Sequence, residues 1–538
     1  MNGSLDARKN LLVILLLGIF SLAAYSNSLN NPFLMDDHAL VLENRKIGSM
    51  DHLQLSPFSH QSKDSDGFKY LYYRPITHLA DYAFFLMFGK NVVGYHMLNL
   101  LLFFLSAVSL YYFFRKIKIS DTVSVITCLL FITHPINGVL INYTSTTGYI
   151  LLILFTIFGF MNYLSYMDDK KTSRLSLSLL FFVLSLLCHE TAIFFPIYLG
   201  AILYLVRKFS FSRSMASLIP FFVIISLYLC FRMYYASLKS GVIDNISGFN
   251  LSFQQYLAMY FHLILHYFKN LVFMSDIVLI YSIPTIHQHF LLWNLMFMAF
   301  ISFISYLIFY KWRNDTKSLA LAWIMIGFGP VTLACFSRAS MGMIISPHWL
   351  LISSIGYCLL IASLLEISFR PNNKTLFVIS VAILLSSYTL ISRQYNQIWS
   401  NEIKYCRYML SLSPNIPLVK FWLGTAFLEK GDLNNAEYFF KKTIMNAKSD
   451  WQAYSNLGVI EALRGHEDMA LQYYLKALER NPDSTDLLNN LAATYIEMKE
   501  YAKAEEYLRR ILVVDPDFTE ALANWNVLKT LQENQVNN

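Results

Sequence analysis

The chain has 538 residues, of which 56% are hydrophobic and only 14% charged, with a mean hydropathy of +0.43 and a formal net charge of +7. Soluble globular domains carry about a quarter charged residues, and an ionised group in hydrocarbon costs several kcal/mol, so the composition excludes an ordinary soluble domain and points to lipid as solvent. The basic residues lie between apolar runs, not on one face, which excludes a nucleic-acid binder, and the six scattered cysteines form no CxxC pair, which argues against a disulfide framework or a zinc site.

The first apolar run, Leu11 to Tyr25, follows Arg8 and Lys9. No strong small-x-small cleavage site precedes Asn27, so an uncleaved first helix is expected over a signal peptide. A polar, aromatic and His-rich stretch follows as an outer loop (27–94), with a short helix expected over Pro75 to Phe88. A span needs about 20 apolar residues. Further candidates lie near 95–114, 121–138, 147–167, 175–189, 190–206, 216–236, 290–310, 318–336, 347–367 and 374–391.

Lys and Arg in short loops mark the cytoplasmic side. Arg115 and Lys116, Lys170 and Lys171, Arg207 and Lys208, Lys311 and Arg313, and Arg370 and Lys374 all fall together with Arg8 and Lys9. That alternation leaves no crossing for Tyr256 to Met274, which carries His262, His266 and Lys269 at helical spacing. It reads as an interfacial or re-entrant helix on the outer side. About eleven crossings result, an odd number. The amino terminus is then cytoplasmic and the carboxy-terminal part outside.

From Pro417 a 34-residue period appears. Leu423-Gly424 recurs as Leu457-Gly458 and Leu491-Ala492, Ala436 as Ala470 and Ala504, and Phe440 as Tyr474 and Leu508. Pro482 and Pro516 close the second and third units. Small residues let two antiparallel helices approach and an aromatic fills the gap, the pattern of tetratricopeptide (TPR) repeats. The expected fold is therefore all-α. A polytopic membrane bundle (1–395) leads through a linker helix (396–416) to a TPR α-solenoid (417–538). Its units are 417–450, 451–484 and 485–518, with a capping helix.

The sharpest chemical signal is Asn31-Pro32-Phe33-Leu34-Met35-Asp36-Asp37-His38, just beyond the first span, with Glu43 and Asn44 after it. A carboxylate at a low-dielectric boundary has a raised pKa and suits a general base; a solvated polar loop is the plain alternative. Tyr73-Arg74-Pro75-Ile76 follows, then His134-Pro135, His189-Glu190-Thr191 with Pro196, and His348-Trp349-Leu350 with Ser354-Ile355-Gly356. In this order the motifs resemble the transmembrane and TPR-containing O-mannosyltransferases and their bacterial relatives, polytopic glycosyltransferases of the GT-C class.

The resemblance implies group transfer from a polyprenyl-phosphate sugar to an acceptor on the outer side. Asp37, or else Asp36, would be the base, and Glu190 would orient or pair a neighbouring group. Arg74 would bind the departing phosphate, with His189, His348 and Arg338 as further substrate-binding residues. Val139, Thr147, His189 and His348 stand where the family has an acid, an Arg, a Lys and an Arg. Simpler roles are snorkelling for Arg74, a helix-end pair for His189 and Glu190, and an interface histidine for His348. His262 and His266 form an i, i+4 pair with no carboxylate or Cys nearby in sequence to complete a metal site. No cofactor and no metal ligand are expected; a divalent-metal requirement stays open.

The expected partners are the bilayer, the lipid-linked donor, and a protein acceptor or partner held by the repeats; no nucleic acid is expected. The expected location is a bacterial inner membrane with periplasmic repeats, or alternatively an endoplasmic reticulum membrane with luminal ones. The competing reading is a non-enzymatic, membrane-anchored TPR scaffold, which would need no Asp36, Asp37 or Arg74. A transporter would show inverted repeats, and none are visible in the sequence.

Overall fold

A computed structural model describes residues 2–42, 47, 73–235, 252–283, 289–313, 315–329, 343–369, 373–446 and 451–537. They fall into two compact units, one reaching Tyr405 and one running from Cys406. Among the described residues the first unit is helical apart from a two-stranded antiparallel ribbon, Tyr281–Ile283 with Met343–Ile345, in the register Tyr281 to Ile345.

Among the described residues six helices are long and apolar enough to cross a membrane: Asp6–Ser28, Val92–Lys116, Thr144–Asp169, Phe290–Lys311, Pro347–Ser368 and Lys374–Ile398. Two bent pairs raise the count to eight. The chain is a multi-pass integral membrane protein. One bend, of 52°, falls between Asp121–Thr133 and Pro135–Asn142, inside the stretch expected as one span. Pro135 offers no N–H and forces His134 out of the helical region, to ψ 124°. Thr172–Cys188, Glu190–Val206 and Thr316–Gly327 are shorter apolar helices. The helix Phe253–Phe273 is long enough, yet it is not among the apolar candidates and opens with a Ser252–Gln255 capping box.

The outward faces of these helices are apolar. Leu11, Leu15, Ile19 and Leu22 on the first, and Leu291, Leu295 and Met298 on Phe290–Tyr306, are largely exposed. Inside, where lipid and core are equally apolar, packing supplies cohesion. Phe160 packs tilted against Phe195 with centroids 4.4 Å apart and edge-on against Trp323 at 6.1 Å. The last long helix continues to Ile398, past the apolar run that ends near 391, because its polar end is buried and bonded. Asn396 donates to the Ala24 carbonyl and the Asn27 side chain, each at 2.9 Å, and accepts from Asn142 at 2.7 Å.

The second unit contains antiparallel helix pairs at the 34-residue period: Pro417–Glu429 with Leu433–Asn446, Trp451–Leu463 with Glu467–Leu478, and Thr485–Glu497 with Tyr501–Val514. Thr519–Asn537 follows as a final helix. The turn within each pair needs a left-handed residue. Gly431 and Gly465 supply it at φ 75°, whereas the third unit uses Lys499 at φ 61°.

Candidate functional site

Two side-chain clusters lie at the end of the bundle that carries the loop after the first helix. The first is built on Asp37. Its loop is fixed from both sides. Asn31 donates to the Asn142 side chain at 2.7 Å and to the Asn396 carbonyl at 2.9 Å, and Phe33 packs edge-on against Tyr95 at 5.2 Å. This places the Asp37 carboxylate, fully buried, against the start of the helix Thr147–Asp169. It accepts from the backbone N–H of Thr144 at 3.1 Å, from that of Ser145 at 2.9 Å, and from the Ser145 hydroxyl at 2.5 Å. Orphan N–H groups leading into a helix are a natural seat for an anion. Burial nevertheless dominates and pushes the Asp37 carboxyl up to about 6, the hydrogen bonds from Ser145 and Thr144 offsetting part of the rise. The Thr144 side chain also reaches the carboxylate, so the roughly four acceptor sites of Asp37 are shared among Thr144 and Ser145 in this state. Asp36, its neighbour in sequence, is exposed.

A second carboxylate, Asp81, belongs to this cluster and was not among the sequence-based candidates. It shares a face of the helix Pro75–Phe88 with the buried Thr77 and Phe84, at i−4 and i+3. Burial, and then the charge of Asp37, push its carboxyl up to about 7. An acid on the inward stripe of an amphipathic helix is the sequence signal that could have found it.

The second cluster joins Arg74 to Glu190. Thr77 donates to the carbonyl of Cys188 at 2.9 Å, which pins the start of the helix Pro75–Phe88 to the end of Thr172–Cys188. The close approach needs Gly148, where a Cβ would sit 2.4 Å from the Thr77 hydroxyl oxygen. Arg74 then meets Glu190 in a fork, Nε to Oε2 at 3.0 Å and Nη2 to Oε1 at 2.7 Å. Such bidentate pairs are the strong, geometrically specific kind. Arg232, 8% exposed and absent from the sequence-based candidates, brings Nη1 to 3.9 Å from Glu190.

His189 lies beside them, with Nε2 3.8 Å from Glu190. Its Nδ1 accepts from the Thr191 N–H at 3.2 Å, which fixes the neutral tautomer with the proton on Nε2. The ring of Tyr149 lies between His189, 4.2 Å away, and His348, 4.7 Å away. Arg74, Glu190, His189 and His348 are thus brought into one neighbourhood. Arg338, like Glu43 and Asn44, lies outside the described residues.

His134 has a structural part. It is buried, caps Pro135–Gly138 through Ile136, and its Nε2 is 3.0 Å from the Leu271 carbonyl. His266 stacks on Tyr281 at 4.3 Å and meets Asn270 at 3.2 Å.

Comparison with known proteins supports the same direction. The tetratricopeptide repeat family model matches residues 464–524. The chain is 24% identical to the Protein O-mannosyl-transferase F38B6.6 of Caenorhabditis elegans, covering 80% of this chain and 61% of that protein. It is 23% identical to the Protein O-mannosyl-transferase TMTC3 of Homo sapiens, covering 95% of this chain and 61% of that protein. A stretch of 78 residues is 37% identical to the BBSome complex member BBS4 of Bos taurus, 14% of this chain and 15% of that protein. The chain is thus distantly homologous to the transmembrane and TPR-containing O-mannosyltransferases over most of its length, and spans about three-fifths of the two it matches.

Proposed function

We propose that this chain is a membrane glycosyltransferase of the GT-C class that moves a sugar from a polyprenyl-phosphate carrier to a hydroxyl on the non-cytoplasmic side. The observation that carries the reading is Asp37: a buried carboxylate, held by Thr144 and Ser145 and with its pKa pushed up to about 6, at the end of the bundle where the first helix exits. A general base works best with a pKa near the operating pH. In the reaction the acceptor oxygen bonds to the anomeric carbon as its proton passes to Asp37. The bond from that carbon to the phosphate oxygen breaks, and the polyprenyl phosphate leaves with the electron pair. Arg74, held in its fork by Glu190, meets the developing phosphate charge. Displacement with inversion is what the distant relatives imply.

In this reading the two bent pairs and the three shorter apolar helices each cross the bilayer. Together with the six long helices they give the eleven crossings expected from the loop charges. The repeats then lie on the same side as Asp37, where they bind the acceptor or a partner protein. A bacterial inner membrane, with the repeats in the periplasm, is the setting we favour. An anchored scaffold would rest on the repeats alone and would leave the buried acid and its raised pKa without use.

The test is turnover. Membranes containing wild type or Asp37→Asn are assayed for sugar release from a panel of polyprenyl-phosphate sugars. Release by the wild type and its loss in the variant, at equal membrane levels, supports the assignment. Equal turnover rejects it. No release by the wild type from any donor favours the scaffold.

A further inference from the structure

We propose that Arg232 is a second phosphate-binding residue beside Arg74, so that the Glu190 cluster takes up one phosphodiester monoanion. The inference rests on the donor site proposed above and adds a residue and a charge rule to it.

Arg232 is buried and only partly partnered. Its side chain is 10% exposed. Its Nη1 donates to the hydroxyl of Tyr228, one turn earlier on the same helix, at 3.2 Å. Its Nε has no hydrogen-bond partner among the described residues. Glu190 does not satisfy it. Arg74 occupies both Glu190 oxygens, and the 3.9 Å from Arg232 is beyond hydrogen-bonding reach. A guanidinium carries five donors. Leaving the Nε–H dry is costly unless an acceptor arrives.

The charges point to what that acceptor is. Among the described residues of the cluster, Arg74 and Arg232 contribute two positive charges, Glu190 one negative, and His189 none, because its Nδ1 is an acceptor. The net single positive charge matches one further monoanion. A phosphodiester carries one negative charge, whereas a diphosphate link carries two. Sidedness agrees. The loop charges Arg207, Lys208 and Arg213 put the start of the stretch 216–236 at the cytoplasm, so Arg232 sits at its outer end. An arginine there, followed by Lys239, runs against the positive-inside rule, as a ligand-binding cation would.

A phospholipid headgroup is also a phosphodiester, and the experiment separates the two sources. Full-length protein in detergent is titrated with methyl farnesyl phosphate, a sugarless prenyl phosphodiester, alongside farnesyl diphosphate and short-chain phosphatidylglycerol. Wild type is expected to bind methyl farnesyl phosphate best. Arg232→Met should weaken binding about tenfold or more, as loss of a charge-assisted hydrogen bond does. Arg232→Lys, which keeps the charge and disturbs folding least, should fall between them.

Equal affinity of wild type and both variants overturns the inference, and if Arg74→Met still abolishes binding, the donor site survives without it. Equal or tighter binding of phosphatidylglycerol overturns the assignment to a prenyl carrier. Failure of the wild type to bind the probe overturns the inference and the donor site together.

Discussion

Arg74 and Glu190, 116 residues apart in the chain, meet through two hydrogen bonds of 3.0 and 2.7 Å. The pairing presents a planar fork at the end of the bundle, and planarity is what lysine lacks. Arg74→Lys keeps the charge and loses the second contact. The expected result is a fall in kcat/KM of about tenfold or more, the scale of one charge-assisted bond, with unchanged membrane levels. Glu190→Gln should do similar harm by freeing the guanidinium to swing. Sugar release from the polyprenyl-phosphate panel is the readout, and wild-type kinetics in both variants would remove the pair from the site.

The raised pKa of Asp37 sets the acid side of the pH profile. The base form is required, so kcat/KM should rise with pH through about 6 and level off above it. Stability runs the opposite way. The folded pKa lies above the ordinary carboxylate value of 3.8, so the native state holds the proton more tightly than the unfolded chain. This stabilisation is complete below about 4 and is lost as pH rises to about 6. Thermal melts of wild type and Asp37→Asn across that window should show the steeper fall in the wild type, Asp81 adding its own fall in both.

Asp81 tests whether the two acids act as a pair. The charge of Asp37 helps push its carboxyl up to about 7, and such coupling is mutual. Asp37, at about 6, ionises while Asp81, at about 7, is still mostly protonated, so Asp81→Asn is expected to leave the acid limb of kcat/KM in place and to remove any inflection near 7. A limb that moves to lower pH would mean that Asp81 already carries charge while Asp37 titrates.

What was legible in the sequence and what was not follow from the range of the interactions. The 34-residue period is local, so Gly458, Ala470 and Tyr474 announce a helix pair by their spacing alone. The apolar runs and loop charges are one-dimensional signals too. Asp37 stands out because it follows a span inside a motif. Its donors Thr144 and Ser145 lie 107 and 108 residues away, and no spacing connects them. Asp81 carries a faint signal, an acid on the buried stripe of an amphipathic helix. Arg232 reads as the end of an apolar run, and only the three-dimensional approach to Glu190 gives it a part. The break at Pro135 was written in the sequence, but a continuous apolar run concealed it.

The repeats give paired predictions of opposite sign. A Cβ at Gly458 would meet the ring of Tyr474 at 2.5 Å, and that ring is buried with nowhere to move. Gly458→Ala should therefore destabilise the repeats by about 1–3 kcal/mol, the usual cost of overpacking. Lys499 occupies the left-handed turn that Gly431 and Gly465 fill in the other two units. Lys499→Gly relieves that conformation and should stabilise by about 0.5–1 kcal/mol, the αL penalty less the added entropy of the unfolded chain. Proteolysis of the full chain, followed at sites after Cys406, should be faster in the first variant and slower in the second.

Asn396 connects the frame of the bundle to the base. Its side chain bonds Asn142, Asn27 and the Ala24 carbonyl, and its own carbonyl accepts from Asn31, six residues before Asp37. Asn396→Leu fills the space but orphans polar groups at Ala24, Asn27 and Asn142, at about 1–3 kcal/mol for each group left unsatisfied. Lost stability alone would lower the amount of active protein and leave the pH profile where it was. A frame that positions Asp37 predicts more. With Asn142, and through it Asn31, loosened, water reaches the carboxylate, the effect of burial weakens, and the acid limb moves below 6. Measured per folded molecule, a lower kcat together with that shift marks Asn396 as a positioning residue, and a lower melting temperature with an unmoved limb marks it as structural.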